Sequence, residues 1–111
     1  MMNLSIIRDV INKMNFPTQL DGAEVLKTTT NDKSRKLSSV IFEEEDGTTN
    51  EVHITALAIT KYKDDDRYYL FLCDCNWEVV NDFLLDTMSE AMECAKMNFS
   101  VDSNDWITLI D

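Results

Sequence analysis

Glycine and proline are nearly missing from this sequence, with two glycines and one proline among 111 residues. Because Gly22 and Gly47 stand far apart, the chain has no glycine-rich loop of the kind that cradles phosphate groups. The scarcity of both residues, together with 44% apolar residues, is typical of a regular globular domain and not of a disordered chain. The length predicts a single domain over residues 1–111.

Histidine is also scarce, which leaves little material for a catalytic site. His53 is the single histidine, and the set that it could form with Cys73 and Asp74 matches no catalytic motif. An enzyme is therefore not expected. An exposed or hydrogen-bonded histidine on a strand is the plainer interpretation of His53.

Cysteine is present three times, an odd number that gives no disulfide framework. Cys73, Cys75 and Cys94 are predicted to be free thiols, and one or both of Cys73 and Cys75 are expected to be buried as small apolar groups. A structural zinc ion needs four ligands in a recognised spacing, which these cysteines and His53 do not provide. No metal and no other cofactor is expected.

Long apolar runs are missing as well. No segment approaches the roughly 20 apolar residues that a helix needs to cross a bilayer. The first 16 residues have neither a basic leader nor a continuous apolar stretch. The sequence therefore predicts a cytoplasmic protein that does not bind membranes.

Positively charged residues are also few: the sequence has 10 lysines and arginines against 21 aspartates and glutamates, so the net charge is −11. Residues 1–36 hold four acids and six bases, a balance of +2, whereas residues 37–111 hold 17 acids and four bases, a balance of −13. Such a chain repels nucleic acid and attracts cationic proteins, so a protein partner is expected and direct nucleic-acid binding is not. The plainer alternative is that the charge only keeps the protein soluble.

The apolar pattern predicts an α+β domain. Asn3 can cap a first helix that ends at Pro17, and Thr87 followed by Glu90 has the spacing of a capping box for a second helix. Strands are predicted at 23–30, 37–44, 51–63, 67–74 and 77–83, with Trp106 to Leu109 as a final edge strand or plug. The expected architecture is an antiparallel meander of about five strands, with an N-terminal helix and a C-terminal helix packed on it.

The C-terminal helix and the central strands supply the predicted core. The inward face of the helix consists of Met88, Ala91, Met92, Ala95 and Phe99. Residues 56–59 and 68–72 are apolar at successive positions, which predicts strands that are buried on both faces.

Carboxylates gather at the predicted turns and around the last strand. The candidate partner-binding residues are Glu43, Glu44, Glu45, Asp46, Asp64, Asp65, Asp66, Asp74, Glu78 and Asp82. Four aromatic residues, Tyr62, Tyr68, Tyr69 and Trp77, lie close to them in the sequence. Acidic residues mixed with tyrosine and tryptophan are typical of an interface that attracts its partner electrostatically, although the same aromatics can equally form the core.

The last part of the chain carries a resemblance. The stretch YLFLCDCNWEVVND from Tyr69, the helix DTMSEAMECAKMNF that ends at Phe99, and Trp106 resemble small bacterial immunity proteins encoded beside contact-dependent growth inhibition or polymorphic toxins. The resemblance implies a cytoplasmic antitoxin that binds the C-terminal domain of its cognate toxin, often a nuclease, and blocks the active site or substrate surface. It brings no shared catalytic motif, so the candidate contacts remain the acids chosen from their charge.

Two other classes of function stay open at this point. An acidic mimic of nucleic acid that inhibits a DNA- or RNA-binding protein would share the same composition. A small-ligand module or an enzyme would need a concave pocket at His53 and Cys73. The oligomeric state is open as well.

Overall fold

The computed structural model describes residues 16–110. The predicted N-terminal helix, capped by Asn3, lies outside these residues. The elements are β1 (Gln19–Leu20), β2 (Ala23–Thr28), β3 (Ser38–Glu43), β4 (Thr49–Ile54), β5 (Ala56–Lys61), β6 (Tyr68–Cys73), β7 (Val79–Leu85), α1 (Met88–Phe99), a 3-10 turn (Ser103–Asp105) and β8 (Ile107–Thr108). Within the described part of the chain no helix is both long and apolar enough to cross a membrane.

The main sheet is antiparallel, with strand order β1-β2-β5-β6-β7. The short strands β1 and β8 both pair with β2, at its beginning and at its end. The α+β class and the antiparallel sheet of about five strands are thereby confirmed, and the C-terminal helix forms where it was predicted. Among the strands of the described residues, only β5, β6 and β7 follow one another as a meander, because β2 pairs with β5 and the hairpin between them leaves the sheet.

The predicted single strand over residues 51–63 is wrong. The chain forms two strands, β4 and β5, which are separated by Thr55. The reason lies in the side chains: residues 56–59 are apolar on both faces and fully buried, whereas Glu51 and His53 are polar and exposed. Strand β4 therefore pairs with β3 in a separate two-stranded sheet, which we call the arm (residues 38–54).

The core on the helix side of the sheet forms from alternate residues of the two central strands. Leu57 and Leu70 are fully buried there, and Ala91 and Ala95 of α1 belong to the same cluster. Two alanines one helical turn apart leave room for α1 to lie close against the sheet. The inward face predicted for α1 is confirmed, with Met88 and Met92 half-buried at the border of the cluster.

The opposite face of the sheet is apolar as well. Val25, Ala58, Phe71 and Cys73 form a second buried cluster there. Strands β5 and β6 are thus buried on both faces, as their apolar runs predict.

The predicted N-cap of α1 is confirmed, and its partner residue forms a different bond from the one expected. The Thr87 hydroxyl accepts a hydrogen bond from the Glu90 N–H at 3.0 Å. The Glu90 carboxylate accepts from the N–H of Asp86 at 3.2 Å, one residue before the cap. Two N–H groups at the start of the helix are thereby satisfied.

Replacing Thr87 with alanine is expected to lower the free energy of unfolding by about 1 kcal/mol, because the Glu90 N–H loses its acceptor. Urea unfolding followed by circular dichroism measures the change. Thr87→Ser is the matched control and should retain nearly all of the stability, since serine keeps the hydroxyl. Equal losses in both variants would contradict a capping role.

Candidate protein-binding surface

The arm leaves the main sheet beside the turn between β6 and β7. Ala56 pairs with Cys73, so the start of β5 and the end of β6 lie at the same end of the sheet. The Thr55 N–H donates to the Cys73 carbonyl at 3.0 Å. We call this end, formed by the arm and by residues 74–82, which make the turn after β6 and the first part of β7, the arm end.

Asn31 fastens the base of the arm to the neighbouring turn. Its side-chain amide donates to the Asp74 carbonyl at 2.9 Å, and its side-chain oxygen accepts from the Thr55 hydroxyl at 2.6 Å. Asn31 lies between the strands predicted at 23–30 and 37–44, and no sequence motif indicated this role. A polar residue between two strands gives no local signal for contacts that are 24 and 43 residues away.

The outer half of the arm is exposed to solvent at every residue from 41 to 50. Glu43, Glu44, Glu45 and Asp46 stand at its tip. The Asp46 carboxylate accepts from the Thr48 hydroxyl at 2.6 Å and from the Thr48 N–H at 3.0 Å, and these bonds hold the pKa of Asp46 below its usual value. Asp46 is therefore ionised at neutral pH and fixed in position.

The turns at 44–48 and 74–78 share one backbone design. The Gly47 N–H donates to the Glu44 carbonyl, and the Trp77 N–H donates to the Asp74 carbonyl in the same way. Both donor residues have a left-handed backbone, with φ of 87° at Gly47 and 62° at Trp77. Glycine adopts this conformation freely, whereas a bulky tryptophan is strained by it. The Trp77 ring packs edge-on against Phe16, with ring centroids 6.1 Å apart, and this contact helps to hold the strained residue.

Negative charge is concentrated at the arm end. Residues 41–54 contain five acids and residues 74–82 contain three, and neither stretch contains a lysine or an arginine. Glu51 accepts a hydrogen bond from Lys36 at 3.2 Å, and the Nε2 atom of His53 lies 3.0 Å from the same carboxylate oxygen. The Lys36 bond is the main reason why the pKa of Glu51 is lowered. Within residues 16–110, none of the other seven acids is in an ion pair.

Asp64, Asp65 and Asp66 lie at the opposite end of the sheet, because the turn after β5 is as far from Ala56 as the strand allows. Their charge is also locally balanced: residues 61–67 contain three acids and three bases. Arg67 donates to Asp65 at 3.2 Å, and this hydrogen bond lowers the pKa of Asp65. The structure therefore separates these three candidates from those of the arm end.

Asp74, Glu78 and Asp82 are spread along the β6–β7 hairpin. The Asp74 carboxylate accepts from the N–H groups of Asn76 and Glu78, at 2.8 and 3.0 Å, and so stabilises the turn. Glu78 is exposed beside it. Asp82 pairs with Phe71, so its side chain lies on the face of the sheet opposite α1.

The predicted aromatic residues are largely occupied inside the molecule. Tyr62, Tyr69 and Trp77 pack on the second cluster, and Tyr68 packs on the helix side, so the four do not share one face. The exposed apolar side chains of the arm are Ile41 and Phe42, which are 65% and 43% accessible. These two residues were not among the predicted contacts, although two successive apolar residues directly before a run of four acids were a possible signal.

His53 and Cys73 lie in different surroundings, since His53 is exposed and Cys73 is buried. Cys73 is buried in the second cluster, and burial, with smaller contributions from Asp74 and Asp21, raises its pKa to about 12. Such a thiol is protonated at neutral pH and is a poor nucleophile. The cavity beside His53 is lined by Cys75 and not by Cys73. In the described part of the chain no group of three or more His, Cys, Asp or Glu side chains is placed to hold a metal ion.

Comparison with known proteins supplies no relative for this chain. No protein-family model matches the sequence, and neither the curated proteins nor the solved structures give a significant match. Function must therefore be inferred from the chemistry of the arm end.

Proposed function

We propose that the protein is an immunity protein, which binds the C-terminal domain of a cognate toxin in the cytoplasm and neutralises it. In this proposal the arm end covers a basic surface of the toxin, such as the surface with which a nuclease holds its substrate. The observation that supports it is the charge of the arm end, where residues 41–54 and 74–82 hold eight acids and no lysine or arginine.

Unpaired surface carboxylates suit this role for an electrostatic reason. Within the described residues, seven of the eight acids are not neutralised by a neighbour, so their field extends into solvent. Complementary charge raises the rate of association by steering the partner. At physiological ionic strength, salt largely screens the attraction between exposed charges that are more than about 8 Å apart. An antitoxin must capture its toxin quickly, so a steered surface fits this task.

The shape of the arm suits it as well. Five residue steps separate the base pair Ser38–Ile54 from the last pair, Glu43–Thr49. At about 3.4 Å per step the tip stands roughly 17 Å from the base. Ile41 and Phe42 offer apolar contact area directly behind the acids of the tip. An arm of this length can enter a cleft that is lined with basic residues.

The test uses the C-terminal domain encoded by the gene directly upstream. Expressed alone in the cytoplasm, this domain should stop growth, and co-expression of the present protein should restore it. Glu43→Lys with Glu45→Lys should weaken binding by at least about 100-fold and reduce its dependence on salt, because two attractions become repulsions. Asp46 is left unchanged because it holds the turn.

Asp64→Lys with Asp66→Lys is the matched control. It makes the same change in net charge at the opposite end of the sheet and should weaken binding only a few-fold. Equal losses in the two variants would show that net charge matters and the arm end does not. Absence of a toxin gene upstream, or failure of the wild-type protein to restore growth, would overturn the immunity function itself.

A further inference from the structure

Within residues 16–110, strand β4 has one backbone edge without a partner strand. Among the described residues it pairs only with β3. The Glu44 N–H donates to the Thr48 carbonyl, so the backbone groups of Thr48 and of every second residue after it point towards β3. The backbone groups of Glu51 and His53 therefore point the other way. Thr55 continues this outward series, and its N–H is bonded to the Cys73 carbonyl of the main sheet.

A groove runs between this edge and the β6–β7 turn. It consists of two adjoining cavities of about 320 and 260 Å³, which share Val52 and Asp74 in their linings. The cavity nearer the tip is also lined by Phe42, Val79 and Val80, so its walls are largely apolar. We call the two cavities together the arm groove.

The charged residues of the arm groove favour a cation. Asp74 and Glu78 line the cavity nearer the tip, and Glu51 lines the other. Among the described residues, Lys33 is the one lysine or arginine in either lining, and it belongs to the cavity at the base of the arm. The Asp74 carboxylate is already held by two backbone N–H groups, so its position requires no further ordering when a cation approaches.

We propose that the arm groove receives an extended basic segment of the partner, which adds to β4 as a third strand of the arm. The open backbone groups of Glu51 and His53 would bond the segment, as in other cases of strand addition to a free edge. Because side chains alternate along a strand, basic residues can reach Asp74 and Glu78 while apolar ones contact Phe42 and Val52.

A second copy of this protein is a poor occupant of the groove. It would bring its own acidic arm against Asp74 and Glu78, and like charges at close range oppose binding. The inference rests on the proposed function, since the segment is assigned to the cationic toxin domain, but it can be tested without the toxin.

The probe is a capped hexapeptide that alternates arginine and valine, titrated into ¹⁵N-labelled protein. The amide signals of Glu51, His53 and Val79 are expected to shift in a saturable way. A hexapeptide that alternates glutamate and valine should cause no shift there. Shifts confined to other surfaces would overturn the assignment of the groove.

His53→Pro and Ile41→Pro form a matched pair. Each removes one outward N–H from an edge of the arm, where proline is tolerated, but His53 faces the groove and Ile41 lies on the far edge in β3. We expect His53→Pro to weaken peptide binding about tenfold or more, and Ile41→Pro by no more than about twofold. Equal effects would exclude strand addition to β4.

Glu78→Lys tests the charge of the groove without altering the backbone, and it keeps the experiment decisive if a proline variant fails to fold. It should weaken the arginine peptide about tenfold or more, with an unchanged melting temperature. Unchanged affinity would refute a cation site at Glu78. Growth protection that survives both Glu78→Lys and His53→Pro would leave the immunity function standing and remove the groove. Peptide binding by the wild-type protein without growth protection would support the groove and overturn the immunity function.

Discussion

Replacing Leu70 with alanine is expected to lower the free energy of unfolding by about 3–5 kcal/mol. Leu70 is fully buried at the centre of β6, where it pairs with Ile59 on one side and Phe83 on the other. Truncation leaves a cavity that the surrounding sheet and α1 cannot fill. Domains of this size are typically stable by about 5–15 kcal/mol, so the variant should lose a large share of its stability.

Leu84→Ala is the control for this prediction. Leu84 lies on the neighbouring strand β7 and pairs with Tyr69, but 43% of it is accessible to solvent. The same truncation should cost less than about 1 kcal/mol there, because little packing is lost. Urea unfolding followed by tryptophan fluorescence measures both variants. Similar losses at Leu70 and Leu84 would contradict the position of the core between β6 and α1.

The second large effect is expected at alkaline pH and comes from Cys73. Burial raises the pKa of this thiol from 9.0 to about 12. A raised pKa means that the folded state holds the proton more tightly than the unfolded state does. This contribution is therefore fully present below about pH 9 and is lost as the pH rises from 9 towards 12. At 1.36 kcal/mol per pH unit, the full loss is about 4 kcal/mol.

Cys73→Ala isolates this contribution from the lysines and tyrosines that titrate in the same range. The variant starts from a lower stability at pH 7, because it leaves a small cavity, but it should lose less on going to pH 11 than the wild-type protein does. The measurement is the free energy of unfolding in urea at pH 7, 9, 10 and 11. Parallel curves for the two proteins would show that the Cys73 thiol is not buried in the folded state.

Local patterns were sufficient to predict much of the fold. Thr87 caps α1 because threonine at that position satisfies an N–H of the first turn, whatever the rest of the chain does. The runs 56–59 and 68–72 predicted strands buried on both faces, because burial of apolar side chains away from water is favourable on either face. Thr55 was not predictable in this way, since the break between β4 and β5 depends on what each half of the run packs against.

The candidate site was predictable as a set of residues but not as a surface. The acids, and the bases Lys61, Lys63 and Arg67 that balance the turn at 64–66, could all be read from the sequence. The sequence could not show that Asp74 and Glu78 line a cavity together with Phe42. That placement depends on strand register, which brings together residues far apart in the chain.

The sequence by itself determined the charge, the types of element and the residues that must avoid water, because each of these follows from side chains and their nearest neighbours along the chain. Only the tertiary structure decided that the hairpin leaves the sheet as an arm and that seven of the ten candidate carboxylates lie at the arm end, while Asp64, Asp65 and Asp66 lie at the opposite end of the sheet. The physical reason is that pairing between strands is fixed by the best burial of the whole sheet, and no short stretch of sequence contains that information.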